Sequence, residues 1–398
     1  MTDKLSSLAL DHDSFISLHA QLHNRLRRLI VSGQWQYGEQ VPSETQLAKH
    51  LNISRTTVRI ALQSGEVEGL IERVAGRGTF VSYVPEEENA TRLIGYITRS
   101  FHNNIHRTLL TSIEAELRSA GCRVIFSSAS NNADECAVLE QLMQENIDGL
   151  VLWPNANPTP QQKDLLRQYQ LNDIPIVFVD RNVEGIEADF VTSDHIGGTT
   201  MLVNHLIELG HEHIAYLMAN IPGLYPIEQR LKGYRQAMHA AGQVAQPALR
   251  PNSPHRRLFF ETDIHELLSE SHTEILDQLV ELLRGAQPQP TAVVCVNDAL
   301  AVLTMRALNR LGLKVPGDIS VVGFDDISLA AHMPVPLTTI RQDAHVIGTT
   351  AAQMLVDRLD GLESAPRTET IPTRIQRRAS TSVTPASRKQ DVKSIYSK

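Results

Sequence analysis

The chain has 398 residues, 42% of them hydrophobic but only 5% aromatic, with a formal net charge of −8. That length argues for two or three domains, and the lack of a cationic-then-apolar leader or of any apolar run near ~18 residues argues against a secreted or membrane-spanning product. Three cysteines, Cys122, Cys136 and Cys295, are odd in number and form no CxxC pair, which points to reduced thiols in a cytoplasmic protein.

Residues 1–14 read as a polar, loosely ordered leader. Leu18, Leu22, Leu26, Leu29 and Ile30 then recur at helical spacing and predict a helix over Phe15–Ser32, with Trp35 and Tyr37 behind it as packing residues. Ser43 is placed to cap a helix that buries Leu47, Ala48 and Leu51, with Glu44 and Thr45 in its first turn. Asn52 breaks that helix and Ser54 caps the next, which buries Val58, Ala61 and Leu62 while Arg55, Thr56 and Arg59 face the other way. This is a helix-turn-helix layout, whose second helix can enter a major groove. There arginine can read guanine O6 and N7, and threonine can reach phosphate or a thymine methyl. Leu70–Val74 and Thr79–Val84 read as two strands around the Gly-rich turn Ala75–Gly78, a wing with Arg77 at its tip. Residues 15–84 hold eight basic side chains against five acidic ones, a local excess of positive charge in an acidic protein and a fit to phosphate.

The ordered motifs PSE, SRTTVR, EGLI and GRGTFV resemble the winged helix of GntR-type bacterial repressors across nearly all of residues 15–82. The resemblance implies that Arg55, Thr56, Thr57 and Arg59 contact DNA, that Thr45 lies beside the phosphates, and that Gly76, Arg77 and Gly78 follow the minor groove. One departure is Gly65, where the family normally carries a large apolar residue. The expected consequence is a gap partly filled by Val67, a recognition helix that is loosely held or ends early, and a gain of ~1 kcal/mol on Gly65→Leu.

Residues 85–91, with the acidic PEEEN stretch, read as a linker. From Leu93 onward, short apolar runs (Leu93–Thr98, Arg123–Ser128, Gly149–Trp153, Ile176–Asp180, His213–Met218, Ala292–Val296, Ser320–Phe324) alternate with amphipathic helical stretches. Strands buried on both faces and joined by helices imply parallel α/β sheets, with a ligand crevice at their carboxyl ends. No GxGxxG or GxxxxGK[ST] loop is present, and Gly197–Gly198 reads as close helix–strand packing.

The segments IPIVFVDR, DHIGGTTMLVNHLIELGHEHIAYL, RLKGYRQAM, PTAVVCVNDALAV, VPGDISVVGFDD and PLTTIRQD, in this order, resemble the effector-binding domain of lactose- and galactose-repressor proteins, itself similar to periplasmic sugar-binding proteins. The resemblance covers about 92–382 and implies two α/β lobes joined by three crossovers: about 92–192 plus 342–362, and 193–340 plus the tail to about 380. The family's own N-terminal helix-turn-helix is missing and the GntR-type module stands in its place, a fusion similar to arabinose-repressor-like regulators. The expected organisation is therefore a winged helix (α+β) over 1–84, a linker over 85–91, a two-lobed α/β periplasmic-binding-protein-like domain over 92–382, and a disordered tail over 383–398.

A sugar presents rows of hydroxyls, which paired carboxylates, amides and an arginine fork can bind. Asp180 and Arg181, Asn297 and Asp298, and Asp325 and Asp326 each end a strand. The resemblance implies that Asp180, Arg230, Asn297, Asp325 and Gln342 clamp the ligand, beside Arg181, with Phe101 and Trp153 as aromatic faces for a sugar ring. Against this, Arg230 and Asp325 could form an inter-lobe ion pair, Asp298 and Asp326 could cap helices or turns, and Trp153 could serve packing alone. Tyr225 lies in a loop that the pattern does not place.

His211 and His213 would point to opposite faces of a strand and lack a third ligand, so no metal site is expected. With no nucleophile elbow and no catalytic set in context, neither an enzyme nor a cofactor is expected. The sequence points to a cytoplasmic transcriptional regulator, a repressor of carbohydrate-use genes, with double-stranded operator DNA and a small sugar as partners and a homodimer to match a palindrome. The alternatives are a purine- or nucleoside-responsive regulator and a sugar-binding protein that does not bind DNA.

Overall fold

The computed structural model describes residues 8, 10, 12, 17–31, 33–83, 91–99, 104–221, 223–251 and 273–384. Phe101, nearly all of the expected linker and the end of the chain after residue 384 lie outside them.

The winged region contains α1 (Leu18–Val31), β1 (Gln40–Val41), α2 (Glu44–Leu51), α3 (Arg55–Val67), β2 (Ile71–Val74) and β3 (Gly78–Val81). Leu22, Leu26, Leu29 and Ile30 of α1 meet Leu47, Val58 and Leu62 of α2 and α3 in one apolar cluster. Ser43 begins α2 with a capping box: its hydroxyl accepts from Gln46 N (3.3 Å) and Gln46 Oε1 accepts from Ser43 N (2.8 Å). Such a cap stabilises by about 1 kcal/mol. Asn52 turns the chain with φ +54, and Ser54 Oγ accepts from Thr57 N at 3.0 Å to start α3. The sheet has a third strand that hydropathy did not suggest, β1, pairing antiparallel with β3.

Three expectations for this region are corrected. Leu8 is fully buried in the winged core and Leu10 packs against it, so these two residues are packing positions and not part of a polar lead-in. Tyr37 is 67% exposed, whereas Trp35 is buried as expected. The gap at Gly65 does not exist: Ile71 of β2 occupies it, a Cβ on Gly65 would meet Ile71 Cδ1 and Cγ1 at 3.5 Å, and Val67 is 88% exposed. The recognition helix runs on through Gly65 to Val67. A leucine would collide with Ile71, but a methyl fits at van der Waals distance. Gly65→Ala is therefore expected to stabilise the winged region by about 0.5–1 kcal/mol, read as a higher denaturant midpoint of its transition; a lower midpoint would show that Ile71 cannot accept even one carbon.

The first lobe carries a six-stranded sheet. Its elements run β4 (Arg92–Thr98), α4 (Asn104–Ser119), β5 (Cys122–Ser128), α5 (Asn132–Gln144), β6 (Gly149–Leu152), α6 (Pro160–Leu171), β7 (Ile176–Val179) and β8 (Asp189–Ser193). The second lobe follows with α7 (His195–Glu208), β9 (Ile214–Leu217), α8 (Tyr225–Ala240), α9 (Thr273–Gly285), β10 (Ala292–Cys295), α10 (Asp298–Arg310) and β11 (Ser320–Val322). The chain then passes through β12 (Thr339–Arg341) back to α11 (Ala344–Leu359) and β13 (Thr368–Ile371) in the first lobe, and ends in β14 (Arg374–Gln376), which pairs with β12.

Sheet order is β13-β8-β7-β6-β4-β5 in the first lobe and β11-β10-β9 in the second, all parallel. Apolar layers lie on both faces of the first sheet, one built with α4 and α11 and one with α5 and α6. Helices α7 to α10 cover the second sheet. Gly198 of α7 is held to glycine by close packing, since a Cβ would stand 2.7 Å from Thr373 Oγ1 and 2.8 Å from Phe324. The three cysteines are free and buried.

The expected division of the tail is corrected, because β13 completes the first sheet instead of joining the second lobe. Of the stretch 383–398 expected to be disordered, Val383 and Thr384 are described, and Thr384 N donates to Leu209 O (3.1 Å), just after Ser382 N donates to Ser320 Oγ (3.1 Å).

The winged region touches the first lobe through α1. Arg25 donates to Leu171 O and pairs with Asp173 at 3.6 Å. Burial lowers the neighbouring Arg28 guanidinium to about 10, with Asp173 and Asp148 opposing the shift.

Candidate effector site and nucleic-acid interface

The carboxyl ends of β4, β6, β7, β10 and β11 converge on a cleft of about 50 Å³ between the lobes. One water needs about 10–15 Å³, so the cleft is small, and its wall mixes charged and amide side chains with apolar ones such as Ile105, Leu224 and Ile227. Trp153, Asp180, Arg181, Arg230, Asn297, Asp325 and Gln342 line it together, bringing seven of the eight expected effector residues to one place; Phe101 lies outside the described residues. A larger hollow of about 490 Å³ beside α8, lined by Lys232, Arg235 and Arg250, lies apart from these residues.

Two of the carboxylates stand on unusual backbone. Asp180 has φ +64 and Asp325 φ +116, left-handed conformations that cost energy and persist where surrounding structure enforces them. Asp325 is pinned by its N–H to Ile340 O (2.8 Å) on the crossover strand β12. Arg230, 6% exposed, is the centre of the network. Its Nη2 donates to Asp325 Oδ1 (3.1 Å), its Nη1 to Val296 O (2.7 Å) and its Nε to His195 Nδ1 (3.3 Å), while the guanidinium lies 3.8 Å from the centre of the Phe324 ring. Gln342 Nε2 donates to Asp325 Oδ1 (2.8 Å), and Gln342 Oε1 accepts from Ser193 Oγ (2.6 Å), so the end of β8 and the residue after β12 close the network.

Burial pushes the Asp325 carboxyl up to about 6, opposed by Arg230 and reinforced by the Asp180 charge. Burial works in the same direction on Asp180, but the His195 hydrogen bond and the Arg181 and Arg230 charges outweigh it and hold that carboxyl below the usual range. Two carboxylates in one cleft thus differ in affinity for a proton because their partners differ.

The alternatives weighed on the sequence separate cleanly. Arg230 and Asp325 do form an ion pair, but within the second lobe and facing the cleft, not across the lobes. Asp298 is fully buried and accepts from Thr339 Oγ1 (2.5 Å) and Ile327 N (2.9 Å), a structural role in which burial raises its carboxyl. Asp326 accepts from Arg378 Nη2 at 2.6 Å and braces the tail. Trp153 combines both readings: His106 stacks on it at 4.2 Å while the indole lines the cleft. Arg181 donates to Pro154 O (3.2 Å) and braces the cleft wall. Tyr225 opens α8 and meets Phe190 of the first lobe edge-on at 5.4 Å. Sequence reasoning missed Arg99, Ile105, His106, Leu224, Pro226 and Ile227 as cleft lining, and His195 behind it. Of these only His195 sits in one of the effector-domain motifs, DHIGGTTMLVNHLIELGHEHIAYL, and nothing in that motif singled it out.

On the winged region, Thr45, Arg55, Thr56, Gly76, Arg77 and Gly78 are exposed on α2, α3 and the wing turn. Arg55 and Thr56 stand in the first turn of α3, where a helix entering a groove makes its base contacts. Gly76 has φ +74 and Gly78 φ +123, which closes the wing tightly and leaves Arg77 at its tip, 5.9 Å over the Phe80 ring. Two residues are more engaged than expected. Thr57 turns its hydroxyl to Ser54 Oγ (2.8 Å), which makes it part of the cap. Arg59 pairs with Glu44 at 3.4 Å, and Glu44 also reaches Arg73 at 3.5 Å, so Glu44 ties α2 to the recognition helix and the wing.

Among the described residues no helix is long and apolar enough to cross a membrane. Residues 18–81 match the family described as Bacterial regulatory proteins, gntR family, and residues 203–381 match the Periplasmic binding protein-like domain. The Arabinose metabolism transcriptional repressor of Geobacillus stearothermophilus is 33% identical over 349 residues, covering 86% of this chain and 91% of that protein. The HTH-type transcriptional repressor PurR of Vibrio atlanticus is 26% identical over 324 residues, covering 79% of this chain and 90% of that protein. Among solved structures, a putative ribose operon repressor from Burkholderia thailandensis aligns with a TM-score of 0.60 at 26% identity, over 71% of this chain and 98% of that one.

Proposed function

The chain belongs to the family of the arabinose metabolism transcriptional repressors, DNA-binding regulators with a gntR-type reading head, and from that premise we propose that it represses carbohydrate-use genes under control of a monosaccharide held between its lobes. The observation that carries this reading is the convergence of Asp180, Arg230, Asn297, Asp325 and Gln342 on one small cleft. Carboxylates accept from hydroxyls, and the guanidinium and amides donate to ring and hydroxyl oxygens. Trp153 Nε1 is buried without a hydrogen-bond partner among the described residues and is a further donor for such a ligand. Arabinose, a pentose, is the favoured identity, since the relative of 33% identity is named for its metabolism.

Arg55, Thr56 and Arg59 face the major groove in this reading, with Arg77 on the wing. A homodimer presents two heads to a palindromic operator. Sugar binding draws the lobes together and changes the relative placement of the heads, and the α1 contact of Arg25 with Leu171 and Asp173 gives the first lobe a hold on the head besides the chain connection. Thermal-shift screening of pentoses and hexoses, with nucleobases as a competing arm, tests the ligand class. Stabilisation by a purine and by no sugar would replace the sugar reading with a purine one, for which the PurR relative supplies the precedent.

Two expected outcomes follow from the same groups. Arg77→Ala removes a charge at the wing tip without touching a base reader, so it should weaken binding by a similar factor on all DNA sequences. It should also reduce the slope of log affinity against log salt by about 1, measured in a salt titration. An unchanged slope would take Arg77 off the phosphates. The second concerns pH. A ligand hydroxyl donates to ionised Asp325, while the free site takes up a proton as pH falls through about 6. Binding therefore competes with that proton, and effector affinity should fall toward about tenfold per pH unit below 6. Affinity independent of pH between 5 and 7 would place the hydroxyls elsewhere.

A further inference from the structure

Behind the ligand-lining side chains lies a buried histidine to which neither the motifs nor the relatives assign a role. His195 is 2% exposed and is the first residue of α7, just past the first crossover between the lobes. Its ring lies between a carboxylate of the first lobe and the central arginine of the second. Arg230 Nε–H donates to Nδ1 at 3.3 Å, and Nε2 stands 3.2 Å from Thr192 Oγ1 and 3.5 Å from Asp180 Oδ1.

The hydrogen-bond inventory fixes the tautomer. Arginine can only donate, so Nδ1 must accept and carries no proton. Thr192 commits its own hydroxyl proton to Asp180 O (3.3 Å), which leaves its lone pairs facing His195. The proton therefore sits on Nε2, shared between Thr192 Oγ1 and the Asp180 carboxylate. Burial, with the Arg230 charge, keeps the ring neutral, and Asp180 opposes this. Two aromatic rings flank it, Phe324 at 5.7 Å and Tyr225 at 6.5 Å between ring centres.

We propose that His195 is the positioning residue of the effector site, a neutral Nε2–H imidazole that aims the Asp180 carboxylate of one lobe at the ligand while anchored to Arg230 of the other. The proposal rests on the effector reading above and deepens it. His195 does not touch ligand. It holds Asp180 Oδ1, while Oδ2 stands 3.5 Å from Arg181 Nε, so the carboxylate is fixed in orientation and offers its remaining lone pairs to a ligand hydroxyl; that arrangement depends on the two lobes being together. The effector is thus bound by a site whose first-lobe half is set by its second-lobe half.

The full-length wild type, His195→Phe and His195→Gln separate this role from simple filling of space. Phenylalanine keeps the packing and removes both polar contacts, whereas glutamine restores a donor close to the Nε2 position. The first readout needs no sugar. With the aspartate carboxyls 13C-labelled and the Asp180 signal assigned by its loss in Asp180→Asn, the Asp180 titration should lie below the usual carboxylate range in wild type. It should rise in His195→Phe and return toward the wild-type midpoint in His195→Gln. An Asp180 midpoint unmoved in folded His195→Phe overturns the proposal. The second readout is calorimetric titration with L-arabinose, where His195→Phe should bind about tenfold or more weakly, the scale of a lost charge-assisted hydrogen bond, and His195→Gln should recover most of the affinity. Equal affinity in wild type and His195→Phe also overturns it. If wild type does not bind L-arabinose, the choice of sugar fails, and the carboxyl titration alone decides the role of His195. If His195→Phe does not fold, His195→Asn takes its place, since it keeps an acceptor for Arg230 but is too short to reach Asp180; it must raise the Asp180 midpoint.

Discussion

Asp325→Asn is expected to weaken effector binding by about 10- to 100-fold and to silence the sugar response while leaving operator binding close to wild type. Asp325 Oδ1 accepts from both Arg230 and Gln342 in the cleft, and in the proposed reading the carboxylate takes a ligand hydroxyl as well. A hydrogen bond to a charged group contributes about 1.5–3 kcal/mol, which corresponds to that loss of affinity. Asparagine is the better replacement than alanine, because the backbone there has φ +116 and short Asn or Asp side chains tolerate left-handed conformations better than other residues. Arg230→Ala should abolish the response too, but at a further cost. It removes the donors to Val296 O and His195 along with the Asp325 partner, and breaking one side of a buried pair typically costs about 3–5 kcal/mol of stability.

The measurement is calorimetric titration of the effector with and without operator. Coupling between two sites is reciprocal, so wild-type effector affinity must differ between the two conditions. Identical affinities with and without DNA would mean two domains that share a chain but no switch. Loss of operator binding by folded Asp325→Asn would place this residue in transmission instead of recognition.

Arg55→Ala should cost about 1–3 kcal/mol at the operator, roughly 5- to 150-fold in affinity, and relax base preference at the position it reads. Arg55 is the first residue of α3 and is exposed, directly after the Ser54 cap. The neighbouring Arg59 is held by Glu44 at 3.4 Å, so part of its charge is already answered within the protein. The difference predicts an order: Arg55→Ala should change specificity, while Arg59→Ala should weaken binding with less effect on preference. A selection of DNA sequences by each variant would reveal it. Unchanged affinity and preference in Arg55→Ala would take the start of α3 out of the groove.

The division between what was legible and what was not follows the range of the interactions. Local chemistry was open to reading. Ser43 and Ser54 announce helix starts because a hydroxyl satisfies backbone N–H groups within three residues of itself, and Leu47 with Leu51, and Val58 with Leu62, each mark one face of their helix because it repeats every ~3.6 residues. The alternation of apolar runs and helices sufficed for parallel sheets, and the motif order located Asp180, Arg230, Asn297, Asp325 and Gln342 at one cleft. Contacts between residues far apart in the chain were not open to it. Nothing near Gly65 shows that Ile71 fills its space, because that depends on how β2 returns beneath α3. Nothing near Thr368 shows that β13 joins the first sheet, since its partner β8 is over 170 residues earlier and its edge position leaves its burial pattern weak. The role of His195 is the clearest case. As a residue in the sequence it is one histidine beside a helix-capping aspartate. Only the tertiary structure brings Asp180 and Arg230 to its two ring nitrogens and excludes water from them, and it is that enclosure which decides its tautomer and charge.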